Sequence, residues 1–215
     1  NDPVAVTAEG TPVRIVRNAE TNLGDLCADA YRALSNADIA FVNGGGIRKQ
    51  IEAGDITLDD IYSVHPFGNT MCVIRVTGQQ VLDALEWGAR AVPSEHGGFL
   101  QVSGLTYEIH TGVASSAEKD ENGMFTRVSG EYRVKNVMVG GQPLELDKTY
   151  TLASHNYMLL GHGDGYTMFD GCEVLGEDMM VDNQVLITYI TTTLGGGVGE
   201  QYANPYGDGR IVAVE

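Results

Sequence analysis

Along residues 21–34 the chain reads TNLGDLCADAYRAL, with Leu23, Leu26, Cys27, Ala30, Tyr31 and Leu34 at three- and four-residue steps. That spacing gathers the apolar groups on one face of a helix over about 21–34, with Thr21 or Asn22 as its N-cap. The period then changes. ADIAFV, residues 37–42, is short, uniformly apolar and stopped by glycine, which predicts a buried strand. Beyond the glycines, GDITLDDIYSVH offers Thr57 as a cap with acidic side chains in the first turn of a second helix. NTMCVIRVTG reads as a strand, and TGQQVLDALEWGARAV returns to helical spacing through Val81, Leu82 and Leu85.

The second half is richer in strands. GGFLQVSGLTYEIH, EYRVKNVMVGGQPLEL and TYTLAS carry β-branched and aromatic residues, and the Gly140-Gly141 pair marks a turn. The polar segment GVASSAEKDENGMFTRVSG reads as an exposed excursion or long hairpin tip. VDNQVLITYITTTL is a last helix beginning near Asp182 or Asn183, LGGGVGEQYANPYGDG a glycine-rich connection, and GRIVAVE a closing strand. Helices and strands mixed without strict βαβ alternation predict an α+β domain.

The 215 residues, 43% hydrophobic and 20% charged, suffice for one large globular domain or two small ones with a real core. A formal net charge of −16 excludes a broad basic surface, and with it DNA or RNA polymers as partners. Arg14, Arg17, Arg48 and Lys49 nevertheless fall in the first quarter, where they can form a positive pocket for a small anion. Cys27, Cys72 and Cys172 are widely spaced among apolar neighbours and read as buried thiols, not as a zinc set or a disulfide framework. No apolar stretch is long enough to make a membrane-spanning helix. No signal-peptide pattern opens the chain, which begins as a mature protein or an excised domain would.

Candidate chemistry gathers in loops. In NGGGIR, residues 43–48, the glycines let main chain approach a ligand with its N–H groups exposed, and Arg48 stands ready to grip an anion; a strand-end turn with a surface arginine is the alternative. In HPFGN, residues 65–69, Phe67 lies between proline and glycine, as a stacking plate for a planar ring or as a cover over the core. HNYMLLGHGDGYTMF, residues 155–169, combines Tyr157, Asp164 and Tyr166; its GDG is a turn, or presents a carboxylate to sugar hydroxyls. The histidines show no metal-ligand spacing and no local partners, and no nucleophile elbow or paired-carboxylate motif is present. The chain reads as a binder.

Taken in order, ETNLGDLCADAYR, NGGGIRKQIEAGDIT, VHPFGNTMCVIRVTGQQVLDALE, GGFLQVSGLTYEI and NYMLLGHGDGYTMF resemble the C-terminal domain of the 5'-nucleotidase family, secreted and surface enzymes that include UDP-sugar hydrolases and cyclic-nucleotide phosphodiesterases. The resemblance covers about residues 10–170 well and the rest loosely. It implies an α+β domain with a mixed sheet and packed helices. It also implies a nucleoside pocket that rotates substrate toward a separate N-terminal metallophosphoesterase domain, which holds two divalent metal ions and a catalytic His-Asp pair. Position by position, Phe67 and Tyr157 resemble the aromatics that sandwich the base, and Asp164 the carboxylate on the ribose hydroxyls. Arg48 and Arg17 resemble the arginines on ribose and phosphate, and Asn43 and Gly46 the loop positions lining base and substrate.

Two positions depart from the family. Val13 stands where some bacterial members carry a further arginine, and GHGDG sets Asp164 one residue farther from Asn156 than the family often does. No Asp-x-His opening, GNHE or GHxH motif occurs, so the metal ions are expected in the N-terminal domain, absent from this chain, and no cofactor in this domain. The resemblance thus implies a substrate-recognition domain that does not hydrolyse nucleotides alone. Its partners would be a nucleotide or nucleoside and the metallophosphoesterase domain of the same polypeptide, outside the cytoplasm. A non-catalytic solute-binding or adhesion module on the same scaffold is the alternative. 5'-Nucleotides, 2',3'-cyclic nucleotides and UDP-sugars are not separated by these residues, while the aromatics and Asp164 disfavour a sulfur-carrier ester.

Overall fold

Thr21 caps the first helix as its spacing predicts: the hydroxyl accepts from the Gly24 N–H, and α1 runs Asn22–Ser35. The computed structural model describes residues 4–6 and 12–215, with side chains from residue 14 onward. The departure at Val13 therefore lies outside the described side chains. Two short strands, β1 (Val4–Val6) and β2 (Pro12–Arg14), pair antiparallel ahead of the helix.

The uniformly apolar run becomes β3 (Ile39–Asn43), buried throughout. Capping boxes, in which a threonine hydroxyl and the side chain three residues on satisfy each other's main-chain N–H, start α2 (Leu58–Val64) at Thr57 and α3 (Gly78–Ala89) at Thr77. Between them lies β4 (Met71–Thr77). The strand-rich half supplies β5 (Leu100–Ser103), β6 (Leu105–His110), β7 (Ala117–Lys119), β8 (Phe125–Val128), β9 (Val134–Val139), β10 (Gln142–Pro143) and β11 (Thr149–His155). The chain closes with a helical turn α4 (Asn156–Leu159), β12 (Glu173–Gly176), α5 (Asp182–Thr188) and β13 (Ile211–Val214).

A central sheet of order β12-β4-β11-β3-β5 is mixed, with β11 parallel to β3 and antiparallel to β4. Period-two alternation divides its side chains between two cores. Ile39, Phe41, Ile74 and Leu152 face α3 and the second sheet, β10-β9-β6-β13. Ala40, Val42, Val73 and Ala153 face the layer of α1, α2 and α5. This is the mixed α+β architecture that the element pattern predicts. Gly140 and Gly141, at φ 57° and 77°, form the tight turn between β9 and β10, the backbone region only glycine enters freely.

Three expectations change. The polar excursion is a β7–β8 hairpin, yet Phe125, beside its turn, points inward against Trp87, ring centroids 5.6 Å apart, because an apolar group gains more from burial than from water. Cys172 is only half-buried and accepts from Gln80 Nε2 at 3.3 Å. The last helix is α-helical only to Thr188 and then widens into a π turn over Tyr189–Thr193. There Thr191 and Thr192 donate their hydroxyls back to the carbonyls of Ile187 and Thr188, competing with the regular ladder.

Candidate functional site

Strand direction decides which loops meet. The parallel strands β3 and β11 end at Asn43 and His155 on one edge of the central sheet. The antiparallel neighbours begin there: Met71 of β4 lies opposite His155, and Leu100 of β5 opposite Asn43. Four loops, at residues 43–48, 65–70, 96–99 and 156–166, therefore converge at the outer ends of the parallel strands, where open sheets with parallel strands place ligands.

Asp164 is fixed from several sides. It adopts a left-handed conformation, φ 54°, and its carbonyl accepts from Trp87 Nε1 at 3.0 Å. Its Oδ2 accepts from Asn43 Nδ2 at 2.6 Å, while its Oδ1 stands 3.4 Å from the Tyr157 hydroxyl. Asn43 Oδ1 is in turn 2.9 Å from His155 Nε2. The Tyr157 ring lies so close over Gly163 that a Cβ there would overlap it, and 44% of Tyr157 stays exposed.

On the other side of the edge, the Arg48 guanidinium carbon lies 5.6 Å from the centroid of the Phe67 ring, a cation–π contact. Phe67 is 59% exposed, so the ring presents its surface to solvent and does not cover the core. Arg48 Nη1 donates to the Gly45 carbonyl at 3.1 Å, and Arg14 Nη2 donates to the carbonyls of Ile47 and Arg48 at 3.0 and 2.8 Å. Arg17 ends a 3₁₀ turn, Ile15–Arg17, that packs on the glycine turn Gly44–Gly46, and its carbonyl accepts from the His96 N–H. All seven residues that the resemblance implicates, Arg17, Asn43, Gly46, Arg48, Phe67, Tyr157 and Asp164, thus stand at one sheet edge.

The glycines serve a different purpose from the one their sequence suggests. The N–H groups of Gly44 and Gly45 are not exposed; they donate to the carbonyls of Phe99 and Gly97, both at 2.7 Å. A Cβ on Gly44 would overlap the Val16 carbonyl, and one on Gly46 would lie 2.6 Å from Asn43 Oδ1. The run therefore lets three backbone segments and one amide pack closely, instead of offering an anion a nest.

Charge is distributed unevenly at the edge. Burial holds His155 down to about 3 and His65 down to about 4, the latter despite a hydrogen bond to the Gly46 backbone, so both rings are neutral at physiological pH. Burial raises the Tyr157 phenol, with the Asp164 carboxylate adding to it. Arg90 lies 3.5 Å over the Trp87 ring and meets His96 Nε2 at 2.9 Å. The histidines are thus not without partners: His96 Nδ1 accepts from Gly98 N, His110 meets Glu108 and His162 meets Asp170. Sequence reading misses these pairs although all are local, two to eight residues apart, because such spacings match no metal-ligand or catalytic pattern.

Two other features lie away from this edge. An open groove of about 900 Å³ is lined by Leu23, Ile51, Ile61, Ile190 and Tyr202 among others, and by none of the seven residues. Among the described residues, Glu20, Asp25 and Asp208 group at metal-ligand distances. However, Glu20 accepts the N–H groups of Asp208, Gly209 and Ile211, and Asp208 is paired with Arg210. That donor set is committed to joining α1 to β13 and does not fit the two-metal centre of a phosphoesterase.

The family model for the 5'-nucleotidase C-terminal domain matches residues 3–171. The trifunctional nucleotide phosphoesterase YfkN of Bacillus subtilis is 36% identical over 203 residues, covering 93% of this chain and 13% of that protein. The 5'-nucleotidase of Vibrio cholerae is 34% identical over 176 residues, covering 82% of this chain and 28% of that protein. Among solved structures, the 5'-nucleotidase precursor from Thermus thermophilus superposes with a TM-score of 0.76 at 32% identity, covering 93% of this chain and 36% of that one. The chain thus spans only a minor part of the length of each.

Proposed function

Because the chain belongs to the 5'-nucleotidase C-terminal domain family, we propose that it is the substrate-recognition domain of a metal-dependent phosphoesterase that converts nucleotides to nucleosides and phosphate. The observation that carries this reading is the convergence on one edge of two exposed rings, a carboxylate held open by an amide, and a guanidinium. In the proposal Phe67 and Tyr157 stack on the base, Asp164 accepts the ribose hydroxyls, and Arg48 with Arg17 holds the ribose-phosphate end; Asn43 and Gly46 line the loop. Each stacking ring contributes about 1–3 kcal/mol, and a guanidinium gives the anion a direction.

The hydrolytic step is assigned to a metallophosphoesterase domain of the same polypeptide, carrying two divalent metal ions, because the donor groups here do not fit such a centre. An extracytoplasmic location belongs to the same reading and is supported by the name of the Thermus thermophilus relative, a precursor. Calorimetric titration of the 215-residue chain with AMP, adenosine and UMP tests it. Saturable binding that is lost in Asp164→Ala, together with no release of phosphate from AMP, is expected. A folded chain that binds no nucleoside, or phosphate release that survives a chelator, contradicts it.

A further inference from the structure

His155, the last residue of β11, is buried, with only 3% of its surface exposed. Its Nε2 meets Asn43 Oδ1 at 2.9 Å, and Asn43 Nδ2 meets Asp164 Oδ2 at 2.6 Å. The charge on Asp164 decides the direction of this chain. A carboxylate oxygen accepts only, so the amide turns its NH₂ toward Asp164 and its carbonyl toward the imidazole, and His155 carries its proton on Nε2. Gly46 makes room for that arrangement, since a Cβ there would lie 2.6 Å from Asn43 Oδ1 and 3.8 Å from His155 Nε2. The imidazole makes an edge contact with Tyr31, ring centroids 6.4 Å apart, and lies 5.9 Å from the Tyr157 ring.

We propose that His155 is a positioning residue: its Nε2–H locks the Asn43 amide, which anchors one oxygen of Asp164 and so fixes the carboxylate, its other oxygen 3.4 Å from the Tyr157 hydroxyl, in the orientation that selects a vicinal diol. The inference rests on the nucleoside reading above and adds a source of selectivity for ribose over its deoxy forms. A carboxylate free to rotate would present either oxygen in many orientations and would lose part of its gain to ordering on binding. The relay removes that freedom beforehand.

Affinities of the wild-type chain and of His155→Phe, His155→Gln, Asn43→Ala and the His155→Phe/Asn43→Ala pair are measured for adenosine and 2',3'-dideoxyadenosine. His155→Phe keeps a ring against Tyr31 and Tyr157 but removes the donor; His155→Gln restores an N–H at similar reach. The expected result is a roughly tenfold loss for adenosine in His155→Phe, less than twofold for the dideoxy ligand, and substantial recovery in His155→Gln. The double variant is expected to lose no more than Asn43→Ala alone, because both changes break one relay. Equal losses for the two ligands, additive losses in the double variant, or no loss at all would overturn the relay while leaving nucleoside binding intact. Should His155→Phe not fold, Asn43→Ala alone decides between diol-selective and uniform loss. Absence of binding by the wild-type chain would overturn both this inference and the reading beneath it.

Discussion

At the scale of single residues, exposure separates function from packing. Phe67 touches little of the core, so Phe67→Ala is expected to move the thermal midpoint by less than 2 °C, corresponding to about 0.5 kcal/mol or less, while weakening AMP binding about tenfold or more. Thermal melts beside titration calorimetry check the pair of values; a large loss of stability with unchanged affinity would make the ring structural. Gly163→Ala is expected to push the Tyr157 ring from its seat and weaken binding several-fold, because a Cβ would overlap that ring. Unchanged affinity in that variant would show that Tyr157 does not contact the base. Phe67, Tyr157 and Asp164 were legible in the sequence through the motifs around them. His155 was not, since a histidine beside an asparagine carries no spacing signal and its role depends on a partner 112 positions away.

Helices and strands follow from local rules where those rules suffice. The three-and-four spacing of α1, the caps at Thr21 and Thr57 and the Gly140-Gly141 turn are all local, and all were legible; the capping box at Thr77 is equally local but was not read from the sequence. The inward turn of Phe125 and the parallel pairing of β13 with β6 depend on neighbours distant in sequence, and were not legible; nor was the π turn after α5, although the threonine back-bonding that accompanies it is local. Thr77→Ala removes the hydroxyl that accepts from Gln80 N at 3.2 Å and is expected to cost about 1 kcal/mol in urea denaturation.

The junction of α1 with β13 also makes stability depend on pH. Burial raises Asp25 to about 8, and Arg210, 3.6 Å away, only partly opposes this. The folded state therefore binds the Asp25 proton more tightly than the unfolded chain does, so this group's contribution to stability falls as pH rises from about 4 to about 8. His65 and His155 act in the opposite sense: held neutral by burial, they reduce stability as pH falls below the ordinary histidine value of about 6.5. Asp25→Asn keeps the shape and removes the titration, so the difference between its urea midpoint and that of the wild type is expected to shift in the variant's favour as pH rises from 5 to 8. A pH-independent difference would place the Asp25 proton elsewhere.

Over the whole molecule, topology brings distant segments together. One pair of parallel strands and their antiparallel neighbours collect four loops that together span more than a hundred residues of the chain. A surface with net charge −16 leaves that edge as a place where arginines meet exposed rings. The groove beside α1, of about 900 Å³, lacks both, and it separates the two accounts of where a ligand would sit. Titration of the isotopically labelled chain with AMP, followed by amide chemical shifts, tests the account most directly. The expected perturbations cluster at residues 43–48, 65–70, 96–99 and 156–166; shifts confined instead to residues 22–26, 51–61 and 187–203 would contradict it.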